Sequence, residues 1–479
     1  TVEEPEEPQG SQSFKFTTQE EIDEFFTDNP TLTIVTGNVI IRGGDDITNL
    51  NGLSNITKIN GDLIIGSFNN YNSEGQLIKN GNYNLSSLNG LNALTEVGGS
   101  VIIQNNPILE SLNGLSSLTS IGKNLTIGEH KQYNSQHNTI LSGGNPMLEN
   151  LNGLTALTNI GGNLTIADND ALENINGLSS LTNIGTTANT GDIYITGNDQ
   201  LLNINGLSSL IEVKGNLSVG SEDRYYTKNN SSITYFLDEG SNNQLQNIGG
   251  LTNVTEVSGY LRIKNNPQLQ NLNGLDSLTE IEGFLQIENK NLLQNLNGLS
   301  AVTTIGQEAL YINNNNTLEN LNGLGNISSL ETLHIKENYN LQSLAGFSTQ
   351  VTSINQLIIE GNAALLNLSG LSNITSMNNA SVYIRNNPQI QNLGLSAVTS
   401  NQLMVLEIAG NHSLQNLDGI SASINTVTIL NIFSNNNLET ANLGSITNIS
   451  ELTIAGNANL ESINLLGTTS LEHLSIIEN

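Results

Sequence analysis

The 479-residue sequence predicts a mostly β, right-handed solenoid of about 17 rungs with a short N-terminal capping helix. Three observations lead there. An apolar-and-asparagine pattern recurs about every 24 residues, asparagine occurs 80 times, and only one segment has clear helical periodicity. A chain this rich in asparagine, which tolerates tight turns and bonds to backbone, should contain very many turns.

The stretch IGGNLTIADNDALENINGLSSLTNI, residues 160–184, shows the unit. Leu164 and Ile166 alternate as in a short strand with one buried face. Ile160, Leu172, Ile175, Leu178, Leu181 and Ile184 return the chain across the other side of the same core. The pattern L-x-I-x-x-N-x-x-L is that of the strand half of a leucine-rich repeat. One unit cannot bury its apolar face alone, whereas a stack can. Strands are expected from residues 39–41 to residues 474–476. The asparagine at each strand exit is expected to bond turn backbone inside the stack. This column comprises Asn106, Asn169, Asn198, Asn266, Asn315, Asn338, Asn362, Asn387, Asn411, Asn435 and Asn457.

Residues 14–36 read as a cap for the open end of the first rung. Over 18–26 a helix is expected, with Thr17 or Thr18 as N-cap, Glu20 and Glu21 in the first turn, and Ile22, Phe25 and Phe26 on one face. Residues 1–13 are acidic and proline-bearing and read as a disordered tether. Residues 37–479 form the solenoid. The chain starts at Thr1 with no signal peptide, which reads as a mature or recombinant product whose targeting segment has been removed. It stops on a ladder asparagine, Asn479, without a capping segment, so the native chain is expected to continue or to have been cut.

Three intervals between successive repeat glycines are long: Gly52 to Gly90, Gly114 to Gly153 and Gly206 to Gly250. They place insertions at 66–81, 128–144 and 220–241, all entering after the strand, and equivalent positions in a solenoid lie along one edge. The insertions carry Phe68, Tyr71, Tyr133, Tyr225, Tyr226, Tyr235 and Phe236, with His130, His137, Lys79, Lys131, Arg224 and Lys228, although the whole chain has only 20 Tyr and Phe. Tyrosines on loops held by a rigid scaffold suit recognition. A structural flap, in which the loops pack on one another, is the alternative and is compatible with binding.

A second candidate surface is the outward face of the strands. It carries Tyr194, Tyr260, Arg262, Lys264, Tyr311, His334, Lys336, Tyr383 and Arg385, together with Arg42, Phe284 and Phe433. Mixed cations and tyrosines can hold an anionic or hydroxylated ligand. Alternatively, these cations offset Glu288, Glu360 and Glu407, and Arg385 is expected to pair with Glu360 one rung away.

Other functions lack residues to support them. A formal charge of −30 argues against nucleic acid. There is no cysteine, so no disulfide, thiol nucleophile or cysteine-bound zinc is possible. No apolar run is long enough for a membrane helix. The five histidines are scattered, and the outward acids do not form a hydrolase or lyase pair. No phosphate-binding loop or calcium repeat is present. The outward run Ile40, Ile64, Ile102, Thr126, Thr165, Tyr194, Ser218, Arg262 lacks the regularity an ice-binding face needs. No cofactor and no metal are expected.

With the strand LTIADN, the turn LNGLTALTNIGGNL and the cap TTQEEIDEFF, the chain resembles the leucine-rich-repeat, receptor-L-domain-like proteins of Bacteroidetes-type bacterial envelopes, over residues 14–479. That resemblance implies a secreted or lipid-anchored surface protein that binds proteins, peptides or glycans. Its role would be that of an adhesin or an accessory of an outer-membrane uptake complex. A structural spacer on the cell surface is the rival reading, and a β-solenoid polysaccharide lyase a more distant one.

Overall fold

The computed structural model describes residues 11–134, 139–186, 189–221, 224–227, 234–238, 240–288 and 292–479, with backbone only for 224–227 and 234–238. The tether at 1–10 therefore lies outside the described residues. The chain is a mostly β, parallel solenoid with one α-helix among the described residues, divided into two compact units, Thr1–Gln268 and Leu269–Asn479.

In the first unit, eight repeat strands pair in parallel, one per turn of the chain: Val39–Ile41, Leu63–Ile65, Val101–Ile103, Leu125–Ile127, Leu164–Ala167, Ile193–Thr196, Leu217–Val219 and Leu261–Lys264. The second unit contributes nine, from Leu285–Glu288 to Ser470–Ile477. Together these make the 17 rungs counted from the sequence. The register keeps like positions in columns, so Leu125, Leu164 and Ile193 stack inward and all are fully buried. From Gln402–Ala409 onward the strands lengthen to eight residues, and the last intervals between ladder asparagines, Asn435 to Asn457 to Asn479, shorten to 22.

On the return side the Asn-Gly-Leu motif forms a 3-10 turn, as at Asn176–Leu178. The Asn174 side-chain oxygen accepts from the Asn176 N–H, which starts the turn, and Leu178 is buried. Between them Gly177 passes so close to the Leu151 carbonyl of the preceding rung that a Cβ would collide with it.

At the N-terminal end, Phe14–Phe16 adds a parallel strand to Val39–Ile41, and the helix Gln19–Asp28 follows. Thr18 is the N-cap in a reciprocal capping box with Glu21. Ile22 and Phe25 are buried, and Phe25 meets Phe14 and Phe16 edge-on at 4.8 and 5.2 Å. Phe26, expected on the same face, is instead 41% exposed. One residue on from Phe25 is about 100° around the helix, beyond the stripe set by Ile22 and Phe25. Gln12 and Ser13 already hydrogen-bond the first rung through Gly37 N–H, Thr36 Oγ1 and Asn38 N–H.

The asparagine column runs through the interior of each unit. In the first, Asn82, Asn106, Asn145, Asn169, Asn198, Asn242 and Asn266 are fully buried. In the second, the column from Asn315 to Asn457 is likewise buried. Each amide does three jobs, as Asn362 shows. Its Nδ2 donates to the Ile335 carbonyl at 2.9 Å and to Asn387 Oδ1 at 3.1 Å. Its Oδ1 accepts from both the backbone N–H (3.1 Å) and the Nδ2 (3.2 Å) of Asn338. Replacement by alanine strands the Ile335 carbonyl and two Asn338 donors in a dry interior. We expect Asn362→Ala to lose about 2–4 kcal/mol, read as a lowered urea midpoint of the transition of the second unit.

Candidate functional site

The three insertions leave the first unit from one column. Gly66, Gly128 and Gly220 each follow a strand whose ends are in register, through Ile65, Ile103, Ile127, Ile166, Ile195 and Val219. All three glycines have positive φ, 79°, 72° and 78°, which turns the chain outward. Each insertion forms an antiparallel hairpin: Asn70–Tyr71 with Leu77–Ile78, Gln132–Asn134 with Thr139–Leu141, and Arg224–Thr227 with Thr234–Asp238.

A polar residue from the next rung pins each hairpin base. Asn105, buried and at φ 56°, donates Nδ2 to the Ser67 carbonyl (2.7 Å) and Asn69 Oδ1 (3.0 Å), and its N–H reaches the Gly143 carbonyl at 3.0 Å. It therefore holds the first and second hairpins at once. Asp168, at φ 53°, accepts the Lys131 N–H at 3.0 Å and lies 3.6 Å from His130 Nδ1. Asn265, at φ 53°, donates to the Ser221 carbonyl at 2.7 Å. Sequence reasoning missed these three. The signal was the doubled polar pair before each ladder asparagine: Asn105-Asn106, Asp168-Asn169 and Asn265-Asn266.

The first two hairpins pack on one another. Tyr71 Oη and Thr139 Oγ1 are 3.1 Å apart, and the Phe68 ring, 7% exposed, abuts Gly143. Between them and the strand face lies a cleft of about 360 Å³ lined by Lys15, Arg42, Phe68, Asn70, Gln132 and Tyr133 among others. Tyr133 is half-buried there. In the third hairpin the backbone pairs Tyr225 with Phe236 and Tyr226 with Tyr235, while the side chains of these four residues, with Arg224, lie outside the described residues. His137 and Lys228 also fall outside them.

The strand-face residues project outward and are half-buried, alternating with buried core positions. In the first unit, Tyr194 Oη donates to Asp192 Oδ2 at 3.3 Å, and the Arg262 guanidinium lies 5.1 Å from the Tyr260 ring centre. Lys264 flanks Arg262 on the same strand. Asp192 belongs to a ladder at the strand entry, where a side-chain oxygen accepts the N–H of the next rung (Asn163 from Asp192, Asp192 from Asn216, Asn216 from Tyr260). Burial, then the neighbouring Tyr260 and Asp192, pushes the Tyr194 phenol well above its ordinary range. It remains neutral and a donor.

In the second unit, Phe284, Tyr311 and His334 form a chain of edge-to-face contacts with ring centres 5.8 and 4.9 Å apart. The Arg385 guanidinium covers the Tyr383 ring at 4.3 Å. The expected pairing of Arg385 with Glu360 is replaced by another. Lys336 binds Glu360 at 3.3 Å, and Arg385 crosses one rung forward to Glu407. In register, Glu360 lies between Lys336 and Arg385, and its carboxylate engages the lysine. The arginine reaches the carboxylate diagonal to it, beside Tyr383.

Among the described residues no cluster of three or more metal-ligating side chains occurs. Among the same residues no helix is long and apolar enough to cross a membrane.

Comparison with known proteins finds a family-model match over part of the chain. Residues 211–323 match the model of the Receptor L domain. No curated protein matches the sequence. Among solved structures, the functional domain of InlJ from Listeria monocytogenes is 14% identical, over 89% of this chain and 74% of that one, with a TM-score of 0.18. CroV588, a circular leucine-rich-repeat protein, is 12% identical, over 98% of this chain and 86% of that one, with a TM-score of 0.16. The fold assignment rests on the register of the strands themselves.

Two outcomes follow. Asn105→Ala removes the two Nδ2 bonds to the first hairpin, keeps the backbone N–H bond to Gly143, and leaves a β-carbon-bearing residue at positive φ. It should cost about 2–3 kcal/mol and raise amide exchange across 66–81. Asn105→Gly should cost less, because only the hydrogen bonds are lost. Separately, burial holds the His334 imidazole below its ordinary value, with Lys336 acting in the same direction and the Gln356 hydrogen bond opposing. The neutral ring is the form the fold favours. Its stability contribution is thus complete above the unfolded value near 6.5 and is lost as pH falls through the lower folded value. His334→Gln should therefore flatten the fall in denaturation midpoint between about pH 7 and pH 5.

Proposed function

We propose that this chain is a non-catalytic binding protein of the cell exterior, which presents its strand face and edge hairpins to a protein, peptide or glycan. It would act as an adhesin or as an accessory surface lipoprotein of an outer-membrane uptake complex in a Bacteroidetes-type bacterium. The Receptor L match over 211–323 and the leucine-rich-repeat form of the units support a binding role. The observation that carries the reading is the aromatic chain Phe284–Tyr311–His334, with Arg385 stacked on Tyr383 nearby, set on rigid strands. Aromatic rings and a stacked guanidinium give large contact area at little conformational entropy cost, the composition of binding hot spots. As their outward side chains do not support the core columns beneath, they can be exchanged without unfolding the unit.

The test is a double replacement, Tyr311→Ala with Tyr383→Ala, assayed against whole cells and against envelope proteins and glycans of the native host. Binding should weaken at least tenfold while the denaturation midpoint changes little. Undiminished binding by a folded double variant would remove the strand face from the reading. A spacer would give no saturable binding with either protein.

A further inference from the structure

We propose that the strand face of the second unit is self-complementary and pairs with a second copy of this chain about a two-fold axis. The proposal rests on the reading of that face as a binding surface and names one occupant for it, the chain itself.

The first argument is the order of charge. Lys336, Glu360 and Arg385 occupy one outward column on consecutive rungs, and Glu407 follows on the next rung in the neighbouring outward column. Along the stack the signs therefore run plus, minus, plus, minus. Such a row is its own complement when reversed. A two-fold axis parallel to the strands, set between Gln356–Glu360 and Ala380–Arg385, carries Glu360 onto the Arg385 of the second copy and Arg385 onto its Glu360. Lys336 is carried to the rung of Glu407. The same two rows set parallel and unshifted would oppose like with like. Within one chain Lys336 meets Glu360 at 3.3 Å and Arg385 meets Glu407, so the row as a whole is neutral. Charge therefore selects the register more than it supplies affinity. The formal charge of −30 is spread over the whole chain, and at physiological ionic strength charges more than roughly 8 Å apart are largely screened.

The second argument is that the same axis matches side-chain type. Ile358 and Tyr383 are register neighbours in the other outward column, so Ile358 of one copy meets Tyr383 of the second. The centre of the pairing is thus two apolar contacts flanked by two opposite-charge contacts. One rung outward, the long Lys336 falls opposite Ala409, whose small side chain leaves room for it, and His334 falls opposite Glu407. One rung further, Tyr311 falls opposite the Asn431 amide, and Asn313 opposite Phe433. Each hydrogen-bonding group of the outward column thereby meets a group that can answer it. All these side chains are half-buried on their own sheet and present their tips outward.

The third is size and rigidity. The six strands from Ala309–Asn313 to Thr426–Phe433 carry the contact. At roughly 4.8 Å per rung and 3.3 Å per residue, with about five residues used on each, they give a footprint of about 500 Å² per copy. A total near about 1,000 Å² is the low end for specific association, so the pairing is weak and reversible. Ordering before contact offsets part of that shortfall. The Arg385 guanidinium is already held over the Tyr383 ring at 4.3 Å and against Glu407, so little side-chain freedom is lost when a second copy arrives.

The experiment is sedimentation equilibrium of the intact chain at physiological ionic strength, over about 1–500 µM protein. The parent should pass reversibly from monomer to dimer. Glu360→Arg sets arginine against arginine across the axis, and Arg385→Glu sets glutamate against glutamate. Each variant, folded by circular dichroism, should dimerise at least tenfold more weakly than the parent. Mixed one to one, the two variants place arginine opposite glutamate at both central contacts and should recover a dimer to within about threefold of the parent. A parent that stays monomeric throughout overturns the pairing, as do variants that dimerise like the parent. Variants that are weak alone and stay weak when mixed overturn the two-fold register. A monomeric parent that still binds cells through Tyr311 and Tyr383 gives the face an external occupant in place of a second copy. A parent that dimerises as described but binds no cell, protein or glycan keeps the pairing and removes the external partner.

Discussion

The structure depends on satisfying backbone polar groups at every turn of a coil whose interior is almost entirely aliphatic. Where each strand ends, the chain must turn, and the carbonyl groups there point into a space water does not reach. The asparagine column solves this with one residue type. Its Nδ2 donates to a strand carbonyl of the neighbouring rung and to the next asparagine, while its Oδ1 accepts two donors from the asparagine on the other side. Aspartate has no donor for the carbonyl, serine is too short to reach both ways, and leucine would leave all four partners unpaired. The repeat length and the register follow from keeping these amides in line.

The same constraint explains where insertions are tolerated. An excursion that leaves after the strand and returns at the ladder asparagine keeps the ladder intact. The hairpins do so, leaving at Gly66, Gly128 and Gly220 and returning at Asn82, Asn145 and Asn242. Such an excursion would ordinarily be mobile, because its base is held only by the two chain crossings. The positive-φ residues Asn105, Asp168 and Asn265 supply the missing restraint from the following rung. Insertions that differ from one another in length and sequence are thereby attached to a repeating scaffold.

The fold was legible in the sequence because the repeat imposes one pattern many times. A misread at a single rung is corrected by its neighbours. The features that escaped depend on geometry within one rung. Phe26 reads as apolar but sits a residue away from the Ile22–Phe25 stripe. The partner of Arg385 turned on which of two carboxylates its long side chain reaches: register places Glu360 directly opposite and Glu407 on the diagonal, yet the guanidinium meets Glu407 while Glu360 engages Lys336. The strand-entry ladder through Asn163, Asp192 and Asn216 was obscured because asparagine and aspartate there look like ordinary turn residues. The aromatic residues of the face were visible as outward positions. Their edge-to-face order needed coordinates, since ring orientation is not a property of spacing.

A division of labour between columns follows from the alternation of the strand. Inward columns and the asparagine ladder are tied to both neighbours, so a change at one rung is felt at the next. Outward columns are tied mainly through side-chain tips, as in Tyr194 to Asp192 or Arg385 to Glu407. These ties order the surface without supporting the core. Cations that would otherwise be diffuse charges on an acidic body are thereby held at fixed positions: Arg385 against a ring and a carboxylate, Arg262 against Tyr260. A guanidinium already oriented loses less entropy on meeting a ligand than one free to rotate. The acidic excess elsewhere favours solubility, and on the proposed reading the few ordered cations and rings are the places where an encounter becomes a complex.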